Sequence, residues 1–428
     1  MQIFFSDQRL HSRMMVFLIA SLLITPTFKI PGFIGLRIDD LIVFSLLLFF
    51  LLSASFAQIR VKVPQRAVLL ILFSFLLVLS IGWGSQYDLS TSLGDLTKFI
   101  WLIKILVLYI FIFTFIFSDA KTEKEVNVRR NYVLNKIVVY GAISGLICLA
   151  QYINLFNLNG LYLPFIAGVH ANTLIEGYAS PRVVGMIGNP NAQGYLMALC
   201  LITATYLQLI NFSKLRLLLI LTILTALFLT LSRTSLVVLF IGIFILFLGY
   251  SADKKFFLKK VIFISVFFAI LILLYFFLKN NETIYKLVLW RFETLENVKN
   301  DESMLARFHA WTINIHYFLK SPIIGVGPVP RGTNIFGSAD NEWLLFARSY
   351  GVLGIIWLLC FFLLPFFQRS KFNGVLEKNH SVFNLAIIVA TIAYMIPAAV
   401  ITNNGLNGLL IVILALKDNN YYSLNNKW

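Results

Sequence analysis

Apolar residues run through this chain in blocks long enough to cross a bilayer, separated by short polar connections. The blocks fall near 14–30, 41–57, 66–83, 98–117, 135–156, 192–210, 215–231, 234–250, 261–279, 342–367, 382–401 and 405–417. A membrane helix needs roughly 17–25 apolar residues, so the pattern predicts about twelve transmembrane helices, the last of them short. The fold class expected is all-α, a polytopic membrane protein with 1–428 as a single integral membrane domain. Two connections are long, 157–190 and 279–341, and neither has the charge runs or low complexity of a disordered tail. The second carries Trp290, Phe292, Phe308, Trp311, Tyr317 and Phe318, and apolar residues recur near helical spacing from Glu302 to Leu319. That spacing predicts a helix lying on the membrane surface. Ser321-Pro322 ends it, and the glycines and prolines through Gly337 force turns. The result is a large, partly helical loop between the ninth and tenth spans. No internal or inverted repeat is visible.

Composition supports the same class: 59% of residues are hydrophobic, 13% are charged, and the mean hydropathy is +0.85. No soluble fold hides that much apolar surface. A formal charge of +16 raises nucleic acid as a partner, but the position of the charge removes it. The basic residues sit in short connections: Arg60/Lys62/Arg66, Lys121/Lys124/Arg129/Arg130/Lys136, Lys214/Arg216, Lys254/Lys255/Lys259/Lys260 and Arg369/Lys371/Lys378. These alternate with less basic connections. The positive-inside rule therefore puts both termini in the cytoplasm and the two long loops outside. Arg9 and Arg13 before the apolar run from Met14 resemble a signal peptide, but no small-residue cleavage site follows, so the run reads as the first span. Cys148, Cys200 and Cys360 lie inside apolar runs and read as inert core residues without disulfide or metal spacing.

Basic residues on the outer side run against the orientation rule and need a reason. Arg233, in Leu-Ser-Arg-Thr-Ser, interrupts nearly continuous apolar sequence from Leu215 to Tyr250. A cation at membrane depth costs roughly 2.5–3.5 kcal/mol on insertion scales and is a functional hypothesis by default; the plainer reading is snorkelling at a helix end. Arg182 precedes Gly188-Asn189-Pro190-Asn191, where Asn191 is expected to cap the sixth span. Arg307 begins Arg-x-x-x-Trp311, a spacing at which guanidinium and indole can pack. Three arginines on one face suit a pyrophosphate, because the guanidinium stays charged and its planar fork matches phosphate oxygens.

Asp340 reads equally as the N-cap of the next helix and as a carboxylate able to accept a proton from a hydroxyl. His309 and His316 are rival bases, with headgroup contact as the plainer role. Asp39-Asp40 invites comparison with an acidic metal pair. Adjacent residues point to different faces, however, so capping the second helix is preferred. Gly325-Val-Gly327 lacks the setting of a nucleotide loop and reads as a turn. Lys104 and Arg348 lie within spans and either pair inside the bundle or reach a cavity.

Taken in order, these patches resemble a family. Arg307-x-x-x-Trp311, Ser321-Pro322-x-x-Gly325-x-Gly327, Asp340-Asn341-x-x-Leu344 and Gly351-x-x-Gly354, with Gly188-Asn189-Pro190-Asn191 and Ser232-Arg233-Thr234 upstream, resemble the O-antigen polymerase/ligase superfamily. The similarity runs from about Arg182 to Gly354; the first 180 residues match only in hydropathy. The resemblance implies a metal-independent, helical membrane glycosyltransferase fold without cofactors. Its members take a glycan from undecaprenyl pyrophosphate on the outer face of the bacterial inner membrane. Polymerases pass the growing chain to the next lipid-linked repeat unit, and ligases pass it to lipid A-core. Ligases typically carry His-Asn where this chain has Asp340-Asn341, which favours a polymerase of O-antigen or capsular polysaccharide.

On that reading Asp340, Arg307 and Arg233 carry catalysis, while Arg182, Asn191, Trp311, Asn341 and Arg331 bind substrate. The aromatic loop from Trp290 to Phe336 lines the sugar groove. A donor that already carries a lipid pyrophosphate needs its leaving group neutralised, which arginines supply, and its acceptor needs orientation and one weak base. No second carboxylate is evident for a double displacement, so inversion in a single displacement is expected. Expected partners are the lipid-linked oligosaccharide, the bilayer, and chain-length regulator and flippase proteins, with no nucleic acid. The rivals are a ligase to lipid A-core or protein, a transporter of lipid-linked sugars, and a purely structural assembly partner.

Overall fold

The computed structural model describes residues 8–28, 37–56, 62–87, 93–117, 120, 122–165, 174, 182–250, 302–328, 340–367, 374–417 and 421–423. Its helices are α1 (Gln8–Ile24), α2 (Ile38–Phe56), α3 (Gln65–Gly84), α4 (Leu93–Phe117), α5 (Glu123–Tyr152), α6 (Leu158–Tyr162) and α7 (Pro190–Ile210). They continue with α8 (Lys214–Leu229), α9 (Arg233–Gly249), α10 (Glu302–Lys320), α11 (Glu342–Phe367), α12 (Val375–Tyr394) and α13 (Asn407–Ala415). Each apolar block overlaps a helix except 261–279, which lies outside the described residues; α12 ends at Tyr394, short of the end of the block 382–401. Among the described residues, five stretches are long and apolar enough to cross a membrane: Gln65–Tyr87, Thr97–Phe117, Glu123–Tyr152, Pro190–Ile210 and Glu342–Phe367. A helix, α10, stands where the spacing from Glu302 predicts one. Leu305, Phe308, Ile315 and Leu319 form an exposed apolar stripe along it, while Asn314 is buried on its inner side. A small antiparallel pair, β1 (Lys62–Pro64) with β2 (Tyr421–Ser423), adds a strand element that the apolar pattern does not predict.

The core gathers around α7. Of its apolar stretch 94% is buried, against 33% for α3, and α5, α8, α9 and α12 pack on it. A helix apolar all round is stable only in such a position. Up-and-down connections bring 24–28, 37, 84–87, 152–165, 182–189, 230–233, 320–328, 340–341 and 394–406 to one end of the bundle.

The opposite end is fastened by buried cations. Arg66 donates to the carbonyls of Phe361 (2.8 Å), Phe362 (3.2 Å) and Leu414 (2.8 Å). Pro365, inside α11, has no amide to give Phe361, so the guanidinium supplies that bond from another helix. Glu377 accepts from Arg130 at 2.5 Å and from Lys417 at 2.9 Å. At the site end, by contrast, the intraspan cation Lys104 pairs with Asp39 (2.6 Å) and Asp40 (2.5 Å), and Asp39 also binds Arg37 at 2.7 Å. The Asp40 carboxylate accepts from the Arg37 amide at 2.9 Å, the reciprocal half of a capping box. The adjacent acids therefore cap α2 and hold a buried cation. Cys148 and Cys200 are buried as expected, but Cys360 is exposed on α11, because it falls on the helix face away from the core.

The elements that carry the site are interlocked through backbone. At Gly351 the φ of 63° and ψ of −159° break α11. The carbonyls of Arg348 and Ser349 then accept from the amides of Val326 (2.9 Å) and Gly327 (3.0 Å), while the amides of Val352 and Leu353 donate to Pro322 (2.8 Å) and Ile323 (3.3 Å). The turn after α10 thus plugs the break in α11, and Arg348 closes it by donating to the Pro328 carbonyl at 3.3 Å. A Cβ on Gly325 would lie 2.3 Å from the Ser349 carbonyl carbon, and one on Gly351 would lie 2.2 Å from the Ile323 oxygen. Trp83 and Tyr87, at the end of α3, bond Ser321 (3.0 Å) and the Lys320 carbonyl (3.1 Å).

Candidate functional site

The first half of the site forms where α7 begins. Asn189 has extended backbone and is the N-cap, accepting from the amides of Asn191 (2.9 Å) and Ala192 (3.1 Å). Pro190 fills the first helical position, where no amide is needed. The expectation that Asn191 caps this helix is therefore corrected, because Asn189 already satisfies those amides. Released from capping, the Asn191 side chain accepts from Arg182 Nη2 at 2.8 Å. Arg182 Nε donates to the Thr230 carbonyl at 2.9 Å, so this guanidinium braces the start of α7 against the end of α8.

Arg233 enters through the same turn. Leu231 has a φ of 49°, and Ser232 caps α9, its hydroxyl 2.7 Å from that of Ser235. The Ser235 hydroxyl donates to the Asn191 carbonyl at 3.3 Å. A Cβ on Gly194 would stand 2.6 Å from the Ser235 hydroxyl, so glycine is what lets α7 approach this turn. Half-buried Arg233 is the first residue of α9. It sits at a helix end, as snorkelling expects, but on a turn bonded to the residue that Arg182 holds.

The second half lies between α10 and α11. Arg307 Nε stands 3.9 Å from Asp340 Oδ2, with the two side chains 25% and 54% exposed. That separation is too long for a hydrogen bond, and exposed pairs of this kind add about 0–1 kcal/mol to stability. What the pair offers is a cation beside a carboxylate, both partly exposed. The capping alternative for Asp340 is also corrected: Asn341 caps α11, its Oδ1 accepting from the Leu344 amide at 3.0 Å. Asp340 instead takes a φ of 43°, a conformation Asp tolerates at a cost and one that clusters at functional sites. Trp311 packs edge-on to Phe308 with centroids 5.6 Å apart. His309 and His316 are exposed on α10. Arg331 and the aromatic stretch before 302 lie outside the described residues.

Two residues that sequence reasoning passed over tie the halves together. Glu342 is fully buried at the start of α11 and accepts from the amides of Val400, Ile401 (2.9 Å) and Thr402 (3.2 Å). Its own amide donates to the Met395 carbonyl at 2.9 Å. These bonds lock the residues before α11 to the irregular segment after α12. Tyr394, the last residue of α12, stacks on Tyr195 of α7 with centroids 4.3 Å apart, and Tyr195 bonds Thr391 at 2.8 Å. The Tyr394 phenol feels the charges of Arg182, Arg307 and Asp340. Through this phenol the three expected site residues share one electrostatic neighbourhood. An acid at the head of an apolar block was a signal for Glu342; Tyr394 had none, being one aromatic among many.

Among the described residues no three His, Cys, Asp or Glu side chains converge as metal ligands. The chemistry these side chains offer is recognition of an anion by guanidinium groups beside one carboxylate that can accept a proton.

Comparison with curated proteins finds no match to this chain. A family description does match. It begins within α8, ends within α11, and takes in Arg233, Arg307, Asp340, Asn341 and the interlocked turn, while Arg182, Asn191 and Tyr394 fall outside it. Residues 218–359 match the family described as O-Antigen ligase, a match consistent with the O-antigen polymerase/ligase superfamily.

Proposed function

We propose that this chain is a membrane glycosyltransferase that polymerises lipid-linked repeat units of an O-antigen or capsular polysaccharide. Apolar helices of spanning length and the family match support a multi-pass inner-membrane protein. Counting the shorter apolar helices and the apolar block 261–279, the proposed bundle has about twelve spans. The basic connections set both termini in the cytoplasm and the arginine-bearing end outside. The observation that carries the reading is the meeting of Arg307 and Asp340, 3.9 Å apart, at the end where Arg182 binds Asn191.

In the reaction proposed, Arg182, Arg233 and Arg307 neutralise the pyrophosphate of an undecaprenyl-pyrophosphate-linked glycan, with Asn191, Trp311, Asn341 and Arg331 completing the substrate surface. The acceptor hydroxyl oxygen bonds to the anomeric carbon as the bond from that carbon to the phosphate oxygen breaks. The electron pair leaves with the pyrophosphate, and the hydroxyl proton passes to Asp340. Glu342, the neighbouring carboxylate, is buried and engaged by backbone amides, so it is no second nucleophile. A single displacement with inversion follows.

The family description itself favours one alternative, an O-antigen ligase that transfers the finished glycan to lipid A-core or protein. Asp340 in place of the ligase histidine favours the polymerase.

The purified full-length protein in proteoliposomes, given the undecaprenyl-pyrophosphate-linked repeat unit alone, should build a ladder of lengthening lipid-linked chains. Arg233→Ala should abolish the ladder at unchanged protein level. A ladder of wild-type yield from that variant would remove Arg233 from the pyrophosphate site, and turnover only when lipid A-core is added would make the enzyme a ligase.

A further inference from the structure

The Tyr394 side chain is 1% exposed, and its hydroxyl has no hydrogen-bond partner among the described residues. The hydroxyl oxygen is nevertheless not among the sealed polar atoms that lack a partner, so it stays within reach of a ligand. Two constraints fix the ring. It stacks on Tyr195, one helical turn after Asn191 on the same face of α7. It also ends α12 immediately before Met395, whose carbonyl accepts from the Glu342 amide. The phenol is therefore rigid relative to both arginine-bearing halves. Its polar end stands in the combined field of Arg182, Arg307 and Asp340.

We propose that Tyr394 is a further substrate-contacting residue of this site, its phenolic O–H donating to an anionic oxygen of the pyrophosphate held by Arg182 and Arg307. This deepens the reading above and rests on it. A phenol beside two guanidinium groups adds a donor without adding charge. A neutral donor aimed at the leaving oxygen acts as charge develops there, whereas the guanidinium groups attract the anion throughout.

Tyr394→Phe deletes one oxygen and keeps the stacked ring, so the fold should survive. In proteoliposomes of full-length protein the variant should lose kcat about 10²–10³-fold, the effect of removing one such donor, with donor KM within about threefold of wild type. Undecaprenyl pyrophosphate, added as product, should raise the melting temperature of wild type and raise that of Tyr394→Phe less. Tyr206→Phe, on α7 at the far end of the bundle and stacked on Phe383, should match wild type in both assays.

Wild-type kcat and wild-type stabilisation in Tyr394→Phe would overturn the assignment of the phenol. So would equal loss of melting temperature and activity with KM and kcat falling together, because that pattern marks a packing role. Wild-type protein that binds undecaprenyl pyrophosphate through Tyr394 yet transfers no glycan would overturn the transferase reading and leave the phenol assigned. Wild-type protein that neither binds nor transfers would remove both.

Discussion

Asn341 takes the capping role at the head of α11 that Asp340 also could have filled. Because the asparagine caps α11 at 3.0 Å, the aspartate carboxylate is left to face Arg307. Asp340→Asn keeps the size and removes the basicity. If the carboxylate takes the acceptor proton, kcat should fall about 10²–10⁴-fold while donor KM changes little; steady-state kinetics on the lipid-linked repeat unit check this. Asn341→Ala should act differently, costing about 1 kcal/mol of stability through the lost cap, visible as a lower melting temperature with kcat largely kept. The sequence made both residues conspicuous but left their roles interchangeable, since Asp and Asn are both good caps and only backbone φ/ψ separates them. The same ambiguity moved the cap of α7 from Asn191 to Asn189. Buried Glu342 and Tyr394 were hidden for another reason: their meaning lies in partners more than fifty residues away.

The turn after α10 and the break in α11 form one device. Four backbone hydrogen bonds cross between them, and they hold Arg307 on α10 in register with Asp340 ahead of α11. Gly351→Ala would force a side chain into left-handed backbone and against the Ile323 carbonyl. The expected cost is about 2 kcal/mol or more, together with loss of transfer, since α10 would no longer be seated. Limited proteolysis near Ser321 should report the released turn; a variant as resistant and active as wild type would mean the plug is dispensable. The glycine positions and Ser321-Pro322 read correctly as turns in the sequence. Their mutual contact did not, because hydropathy places elements along a chain and says nothing of which break receives which loop. The windows for the helices were legible because length and apolarity are what a bilayer selects. The end of α12 at Tyr394, well short of the apolar block ending near 401, was not legible. The segment beyond it is apolar yet irregular, its amides satisfied by the Glu342 carboxylate instead of by a helix.

The bundle as a whole is fastened by ions at the end away from the site. Burial alone would push the Glu377 carboxyl up, but Arg130 and Lys417 hold it at about 2. Its folded value lies below the ordinary value of about 4.3. The stability it contributes is therefore complete above that value and is lost as pH falls towards 2. Glu377→Gln should flatten the fall in melting temperature between about pH 5 and 2 and lower the plateau above it; an unchanged pH profile would show that the cluster is not what acid releases. Glu377 and Arg66 fasten that end, the other end carries Arg182, Arg307 and Asp340, and the role proposed for the latter is transfer at one membrane face. The most direct measurement of that role is the size profile, on a gel, of surface glycans from cells that lack this protein. A polymerase requires the surface chains to collapse to a single repeat unit attached to core, with length restored by the wild-type gene and not by Arg307→Ala. Complete loss of attached glycan, with long lipid-linked chains accumulating in the inner membrane, would contradict the polymerase and make the enzyme a ligase.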